Sequence, residues 1–278
     1  MKVAVIGKNG QLASCLKEVA LKGLDIAFYG SEEADITRSY TYAPLASSDL
    51  IINCSAYTAV DKAEEFPEDA FAVNRMGVIQ LVDFCERHQK KLIHFSTDFV
   101  FSGEELAPYK EEDFTGPKSV YGASKLAGEE VILQSSLSAL VIRTSWLYSP
   151  YGHNFCKTML RLGSERSELS VVADQIGTPT SALDLARAVF EIIEMGLPKN
   201  PELLHISNTG QCSWADFARE IFKQKGISVT VNNTTTEAFN APAKRPKYSV
   251  LSAEKLLFRY GITMRPWKEA LSEVLTRH

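Results

Sequence analysis

Val3-Ala4-Val5-Ile6-Gly7-Lys8-Asn9-Gly10-Gln11-Leu12-Ala13 is the stretch on which the fold turns. Small and branched apolar residues read as a buried strand, two glycines follow, and a helical pattern starts at Gln11. A strand running through a glycine turn into a helix is the setting that a dinucleotide-binding motif requires. Gly7 permits the tight turn, and Gly10 removes a side chain where a pyrophosphate would approach. Ala13 fills the third position, which accepts Ala. Lys8, Asn9, Gln11 and Leu12 lie in the turn and the first helical turn, whose free N–H groups and positive dipole end attract phosphate.

Further along, short β-rich runs alternate with segments of helical period, the pattern of βαβ units on a parallel sheet. Val3–Ile6, Asp25–Tyr29, Leu50–Asn53, Lys91–Ser96 and Ala139–Thr144 read as strands. Gln11–Leu21, Pro67–His88 and Tyr121–Gln134 read as helices, because apolar residues recur at three- and four-residue spacing. After about Trp146 the rhythm changes. Phe155–Leu162 and Ser213–Lys225 look helical, Ser170–Ala173 and Leu203–Ser207 look like strands, and polar, proline-containing connections such as Asn232–Lys247 lengthen. The expected architecture is α/β, a Rossmann-like doubly wound parallel sheet over residues 1–148. A smaller C-terminal α/β lobe, 149–278, would bind substrate, with 183–195 packing back on the first domain.

Composition narrows the function classes. Apolar residues make up 45% of the 278 residues and charged ones 23%, and 30 basic against 34 acidic residues leave a net charge of −4. With no run of like charge, neither nucleic acid nor an anionic membrane is an expected partner. No segment reaches the length of apolar residues that a membrane span needs. The five cysteines (Cys15, Cys54, Cys85, Cys156, Cys212) are scattered, without a Cys-x-x-Cys pair or a histidine at metal-ligand spacing. Reduced thiols and the lack of a signal-peptide pattern lead to the expectation of a cytoplasmic protein.

Tyr121-Gly122-Ala123-Ser124-Lys125 is the chemically sharpest feature. At the start of a helix, residues i and i+4 share a face, which makes Tyr121 and Lys125 neighbours. A free tyrosine titrates near ~10, and an adjacent ammonium together with a nicotinamide cation favours its phenolate. Bringing it to about 7 needs roughly 4 kcal/mol of differential stabilisation. In a reduction Tyr121 would give its proton to a carbonyl oxygen as hydride reaches the carbon, and Lys125 would hold the nicotinamide ribose. One strand upstream, Leu92-Ile93-His94-Phe95-Ser96-Thr97-Asp98 places the Thr97 hydroxyl at a strand's carboxyl end, where open α/β sheets bind ligands. Thr97 can donate to the same carbonyl oxygen. An oxidoreductase using a nicotinamide cofactor follows. The choice of cofactor rests on the second strand's end, Phe28-Tyr29-Gly30-Ser31, which lacks the usual acidic residue. Gly30 and Ser31 leave room for a 2′-phosphate that Lys8 can pair with, while Glu32 and Glu33 oppose it. NADPH is expected, with NADH also used.

Together these stretches resemble the extended short-chain dehydrogenase/reductases and, within them, the dTDP-4-dehydrorhamnose reductase family. The resemblance is carried by Gly7–Leu12, Asn53–Asp61, Ser96–Phe101, Tyr121–Lys125, Arg143–Tyr148, Gly152–Phe155, Asp174–Thr180 and Arg245-Pro246, and so covers nearly the whole chain. It implies reduction of the 4-keto group of dTDP-4-dehydro-L-rhamnose, with Thr97, Tyr121 and Lys125 catalytic. Ser55, Ala56, Tyr57 and Thr58 would then line the ribose and pyrophosphate path, and Asp35 and Ile36 would lie near the adenine. Val60, Thr97, Phe99, Trp146, Asn154, Gln175 and Arg245 would face the nucleotide-sugar. For this last group the chemistry is a flat indole for a sugar or base, amides as donors and acceptors, and a guanidinium that forks onto a diphosphate. A homodimer is expected for this class. Some members use Mg2+ at a carboxylate-lined dimer contact, but this sequence offers no ligand set, so no metal residue is assigned. Three positions depart from the family pattern: Ala13 and Gly30, and Phe99 where tyrosine is usual. Ser39–Asp49 is also shorter than the usual helix there.

Three rival readings share parts of this pattern. A nucleotide-sugar dehydratase needs a glutamate directly after the Asp that follows the threonine, and here Phe99 follows Asp98. A 4-epimerase uses the same tyrosine and lysine with tightly held NAD, but the Arg143–Tyr148 and Asp174–Thr180 stretches favour the reductase. A non-catalytic dinucleotide-binding subunit, resembling the regulatory β subunit of methionine adenosyltransferase, would not need the Thr97, Tyr121 and Lys125 set.

Overall fold

The computed structural model describes residues 1–277. Strand β1 (Lys2–Ile6) enters the glycine turn and leaves it as helix α1 (Gln11–Glu18). The helix stops short of the expected Leu21, and the chain turns back through Gly23 at φ +99°. There follow β2 (Asp25–Tyr29), two short 3-10 turns across Ser39–Thr41 and Ala43–Ser47, and β3 (Leu50–Asn53). Helix α2 (Val60–Glu65) leads into the segment read from periodicity as one helix over Pro67–His88. That segment is α3 (Pro67–Phe71), a π-helical turn over Ala72–Met76, and α4 (Gly77–Arg87). Hydrophobic spacing does not register the wider turn. Next come β4 (Lys91–Thr97), α5 (Val120–Leu133) and β5 (Ala139–Thr144). The remaining elements used below are α6 (Phe155–Glu165), β6 (Glu168–Val172), α7 (Ala182–Met195), β7 (Glu202–His205), α8 (Trp214–Lys225) and β8 (Thr230–Thr234).

Six parallel strands form the main sheet, in the order β7-β5-β4-β3-β1-β2. Its inner strands are buried on both faces, which is why they read as near-continuous apolar runs. One core layer packs α1 and α7 against Val3, Val5, Ile93 and Ile142; the other packs α4 and α5 against Ala4, Ile6, Ile51 and Val141.

The sixth strand corrects the sequence reading. Leu203 and its neighbours were assigned with the C-terminal lobe, yet Glu202–His205 pairs with Leu140–Arg143 at the edge of the main sheet. The βαβ rhythm is continued by α7 and β7, but the inserted segment after Trp146 hides it in the sequence. Outside the main sheet, β6 and β8 pair in parallel, and α6 and α8 pack into the same core as α1 and α7.

Candidate active site

The carboxyl ends of β1, β3 and β4 and the start of α5 converge on one edge of the sheet. At Gly7, φ is +88°, and a Cβ there would stand 2.9 Å from the Cys54 carbonyl carbon and the Ser55 nitrogen. A side chain would therefore separate β1 from β3 at the turn. Beside it lies a cleft of about 330 Å³. Gly7, Lys8, Asn9 and Gly10 form one wall, Asp35 and Ile36 a second, and Ser55 and Ala56 a third. Gly30, Ser31, Ala34, Thr37, Cys54 and Val73 complete it; of these, only Gly30 and Ser31 had figured in the cofactor reading.

Other residues assigned to the cofactor lie outside this lining. Leu12 is buried in the core, and Tyr57 is tied through both its backbone N–H and its C=O to the Asn74 amide, at 2.9 and 3.1 Å. Thr58 is exposed. Gln11 turns toward the segment after β5, donating to Leu147 O and accepting from Ser149 and Asn154. Lys8 is paired with Glu33 at 2.5 Å, and the same carboxylate oxygen accepts the Gly30 N–H. Those two bonds and the Lys8 charge hold the Glu33 carboxyl below its ordinary range. Asp35 accepts from the Thr37 N–H and hydroxyl.

Thr97 ends β4 opposite Thr144. Its hydroxyl donates to Asp98 Oδ1 at 3.1 Å and accepts the Phe99 N–H at 3.2 Å. Helix α5 begins where the Ser119 hydroxyl accepts the Gly122 N–H, a side-chain cap that satisfies one free donor of the first turn. This start places Tyr121 in the first turn and Lys125 one turn on. A Cβ at Gly122 would lie 2.3 Å from Phe99 O, so the missing side chain lets α5 press against the turn after Thr97. Tyr121 meets Phe99 edge to face, with ring centroids 5.7 Å apart.

Burial pushes the Tyr121 phenol up to about 12; the Thr97 hydroxyl pulls it down and Asp98 adds to the rise. The expected lowering by Lys125 is therefore not the dominant effect in this chain. The Lys125 head group is buried, donating to Phe95 O at 2.6 Å and lying 3.2 Å from His94 Nε2. Burial brings Lys125 down to about 8, against the pull of Glu129. Burial raises Asp98 to about 6, with Ser249 and Thr97 opposing.

The residues assigned to the nucleotide-sugar are drawn together only in part. Val60, at the start of α2, is half-buried, and half-buried Phe99 touches both Tyr121 and Thr97. Arg245 pairs with Asp61 of α2 at 2.8 Å and donates to Ala243 O. Burial works to raise Asp61, but the Arg245 guanidinium and the Ala243 N–H outweigh it and hold the carboxyl below its usual range. The Trp146 ring stacks on Trp214 at 3.5 Å and 6°, so one of its faces is already covered. Gln175 is buried, donating to Thr236 and accepting from Trp214 Nε1. Asn154 caps α6 by accepting the Lys157 N–H, and its amide donates to Ser149 O and Tyr151 O.

Sequence reasoning missed Asn74, His94 and Asn53. Asn74 sits in the π-helical turn, fixes the Tyr57 backbone and donates to Ser124 Oγ of α5 at 2.9 Å. A Cβ at Gly128 would stand 2.2 Å from Asn74 O, so that turn and α5 touch backbone to backbone. The only available signal was polarity inside an apolar pattern. Among the described residues, no group of three or more His, Cys, Asp or Glu could hold a metal ion, and no helix is long and apolar enough to cross a membrane.

A family model described as the RmlD substrate binding domain matches residues 1–278. The dTDP-4-dehydrorhamnose reductase of Sinorhizobium fredii is 42% identical over 97% of this chain and 95% of that protein. A crystal structure of a dTDP-4-dehydrorhamnose reductase from Clostridium acetobutylicum has a TM-score of 0.94 at 41% identity, covering 99% of each chain. The dTDP-4-dehydrorhamnose reductase of Bacillus anthracis in complex with NADP has a TM-score of 0.95 at 38% identity, covering 100% of this chain and 99% of that one. With likeness running end to end in sequence and in structure, the chain belongs to the RmlD substrate binding domain family.

Proposed function

We propose that this protein is an NADPH-dependent reductase that converts the 4-keto group of dTDP-4-dehydro-L-rhamnose to the alcohol of dTDP-L-rhamnose. The observation that carries the reading is the convergence of Thr97, Tyr121 and Lys125 at the strand ends beside a glycine-lined cleft. The S. fredii relative bears the name of this activity, and the B. anthracis relative was solved with NADP.

The cleft fits a dinucleotide. Gly7 and Gly10 keep the wall free of side chains, and the start of α1 presents N–H groups without a first-turn carboxylate to repel phosphate. Asp35 and Ile36 would bound the adenosine end, and Ser55 and Ala56 the path toward Tyr121. The bound cofactor supplies the hydride. Tyr121, kept as a phenol by burial, would give its proton to the carbonyl oxygen. Thr97 would exchange its bond to Asp98 for one to that oxygen and stabilise the charge growing on it. Lys125 would hold the nicotinamide ribose from below, and Arg245 would trade Asp61 for the sugar's diphosphate. NADPH is favoured over NADH because Lys8 lies beside Gly30, where a 2′-phosphate would sit, although Glu33 competes for the same ammonium.

Mixing purified protein with NADPH and enzymatically generated dTDP-4-dehydro-L-rhamnose tests this reading. Loss of the reduced-nicotinamide absorbance, matched by a product two hydrogens heavier, is expected. NADPH binding without consumption would overturn it and bring forward the non-catalytic reading.

A further inference from the structure

A line of buried polar groups runs from the end of β3 across β4 and ends at Lys125 of α5. Its direction can be read from one end, because a backbone N–H only donates. The Ser55 N–H donates to Asn53 Oδ1 at 2.9 Å, which fixes the amide orientation and turns Asn53 Nδ2 toward His94 Nδ1 at 2.8 Å. The register pairs Asn53 directly with His94 across β3 and β4, so the contact is built into the sheet. An amide nitrogen has no lone pair to offer, so His94 Nδ1 accepts, and a neutral ring then carries its single proton on Nε2. Burial and the neighbouring Lys125 both press His94 well below its ordinary range, which keeps the ring neutral. Nε2 faces Lys125 Nζ at 3.2 Å.

We propose that Asn53 and His94 are positioning residues for Lys125: they aim an imidazole N–H, not a lone pair, at its nitrogen and so favour the amine when no cofactor is bound. An ammonium has three donors and no acceptor, so an N–H facing it repels. An amine accepts from Nε2–H with its lone pair, gives one N–H to Phe95 O at 2.6 Å, and keeps one for a ribose hydroxyl.

The other charged groups around Lys125 do not undo this. Glu129, one turn on along α5, favours the ammonium, but its carboxylate is engaged by Arg143 of β5 at 3.0 and 2.7 Å. Glu64 of α2 is held by the Val120 N–H, and Asp98 beyond β4 takes the Thr97 proton. Tyr121, on the same helix, is a phenol.

The inference rests on the reductase reading, in which the phenol must carry its proton before hydride arrives. Hydride and the Tyr121 proton together make the alcohol, and the phenolate then regains a proton from water. A neighbouring ammonium favours a phenolate, so a weaker hold of Lys125 on its proton in the cofactor-free protein leaves Tyr121 protonated for the cofactor's arrival.

The test is nuclear magnetic resonance of cofactor-free protein labelled with 15N-histidine and 13Cε-lysine, followed across neutral and alkaline pH. His94 is expected with Nδ1 bare and Nε2 protonated. In Asn53→Asp the carboxylate can only accept, so the His94 proton is expected to move to Nδ1. Lys125 should then hold its proton about tenfold more tightly, a midpoint about one pH unit higher. Asn53→Leu removes the donor without adding charge and should shift Lys125 the same way. A wild-type His94 protonated on Nδ1, or a Lys125 midpoint unmoved by both variants, would overturn the proposal. None of these readings needs turnover, so a chain that reduces no nucleotide-sugar but shows the Nε2–H ring would defeat the reductase reading and not this one.

Discussion

Tyr121 is where the proposed chemistry meets its simplest test, because burial holds its phenol near 12 and so keeps its proton in place at neutral pH. Tyr121→Phe should lower turnover by about 10²–10⁴-fold while leaving the affinity for NADPH, measured by fluorescence titration, nearly intact. Lys125→Ala should weaken both, since Lys125 serves the cofactor as well. At the other end of the cleft, Glu33→Gln should free Lys8 and raise the ratio of kcat/KM for NADPH over NADH by up to about fivefold; an unchanged ratio would remove the pair from cofactor choice. Thr97, Tyr121 and Lys125 were legible in the sequence because one strand end and one helical turn bring them together. Asn53, His94 and Asn74 were not, because their bonds cross strands or arise in a π turn that periodicity does not encode.

Among the elements, α5 carries the site and is seated by two glycines. Gly122 admits the turn after Thr97, and Gly128 admits the carbonyl of Asn74. Gly128→Ala would force α5 away from the π-helical turn. The expected cost is about 1–3 kcal/mol in a denaturant titration, together with a loss of turnover that exceeds the loss of cofactor affinity. Periodicity located α5, the four inner strands and the edge strand β2 to within a residue or two, because the helix has one buried stripe and the inner strands two buried faces. It erred where a local geometry overrode the average, at the Gly23 turn and at Ala72–Met76. The indole of Trp146 illustrates a different blindness, since its stacking on Trp214 joins residues from opposite sides of α7 in the sequence.

In the whole molecule, α7 and the C-terminal helix Trp267–Leu275 are clasped by Glu273, which accepts from Arg187 at 2.6 Å and also from Arg265. Hydrogen bonds from Arg187 outweigh burial, and with Arg265 they lower the Glu273 carboxyl to about 2. A folded value below the unfolded one contributes stability above about pH 4.5, lost as pH falls toward 2. Asp98 has the opposite sign. Its folded value of about 6 lies above the unfolded 3.8, so protonation favours the fold and stability rises as pH falls from 6 to 4. Asp98→Asn should abolish that rise, on the order of 3 kcal/mol, and Glu273→Gln should flatten the loss below 4.5, both read from urea midpoints against pH.

The parallel sheet and the family were legible from the glycine turn and the spaced motifs; the place of β7 was not, because a long segment of chain separates it from β5. The central claim is hydride delivery to a sugar carbonyl, and NADPH deuterated on the transferring position of its nicotinamide tests it most directly. Incubation with dTDP-4-dehydro-L-rhamnose should give a dTDP-6-deoxyhexose carrying one deuterium at C4 for each cofactor oxidised, with the transfer largely lost in Tyr121→Phe. A product without deuterium, or cofactor that stays reduced while the substrate is intact, would contradict the account.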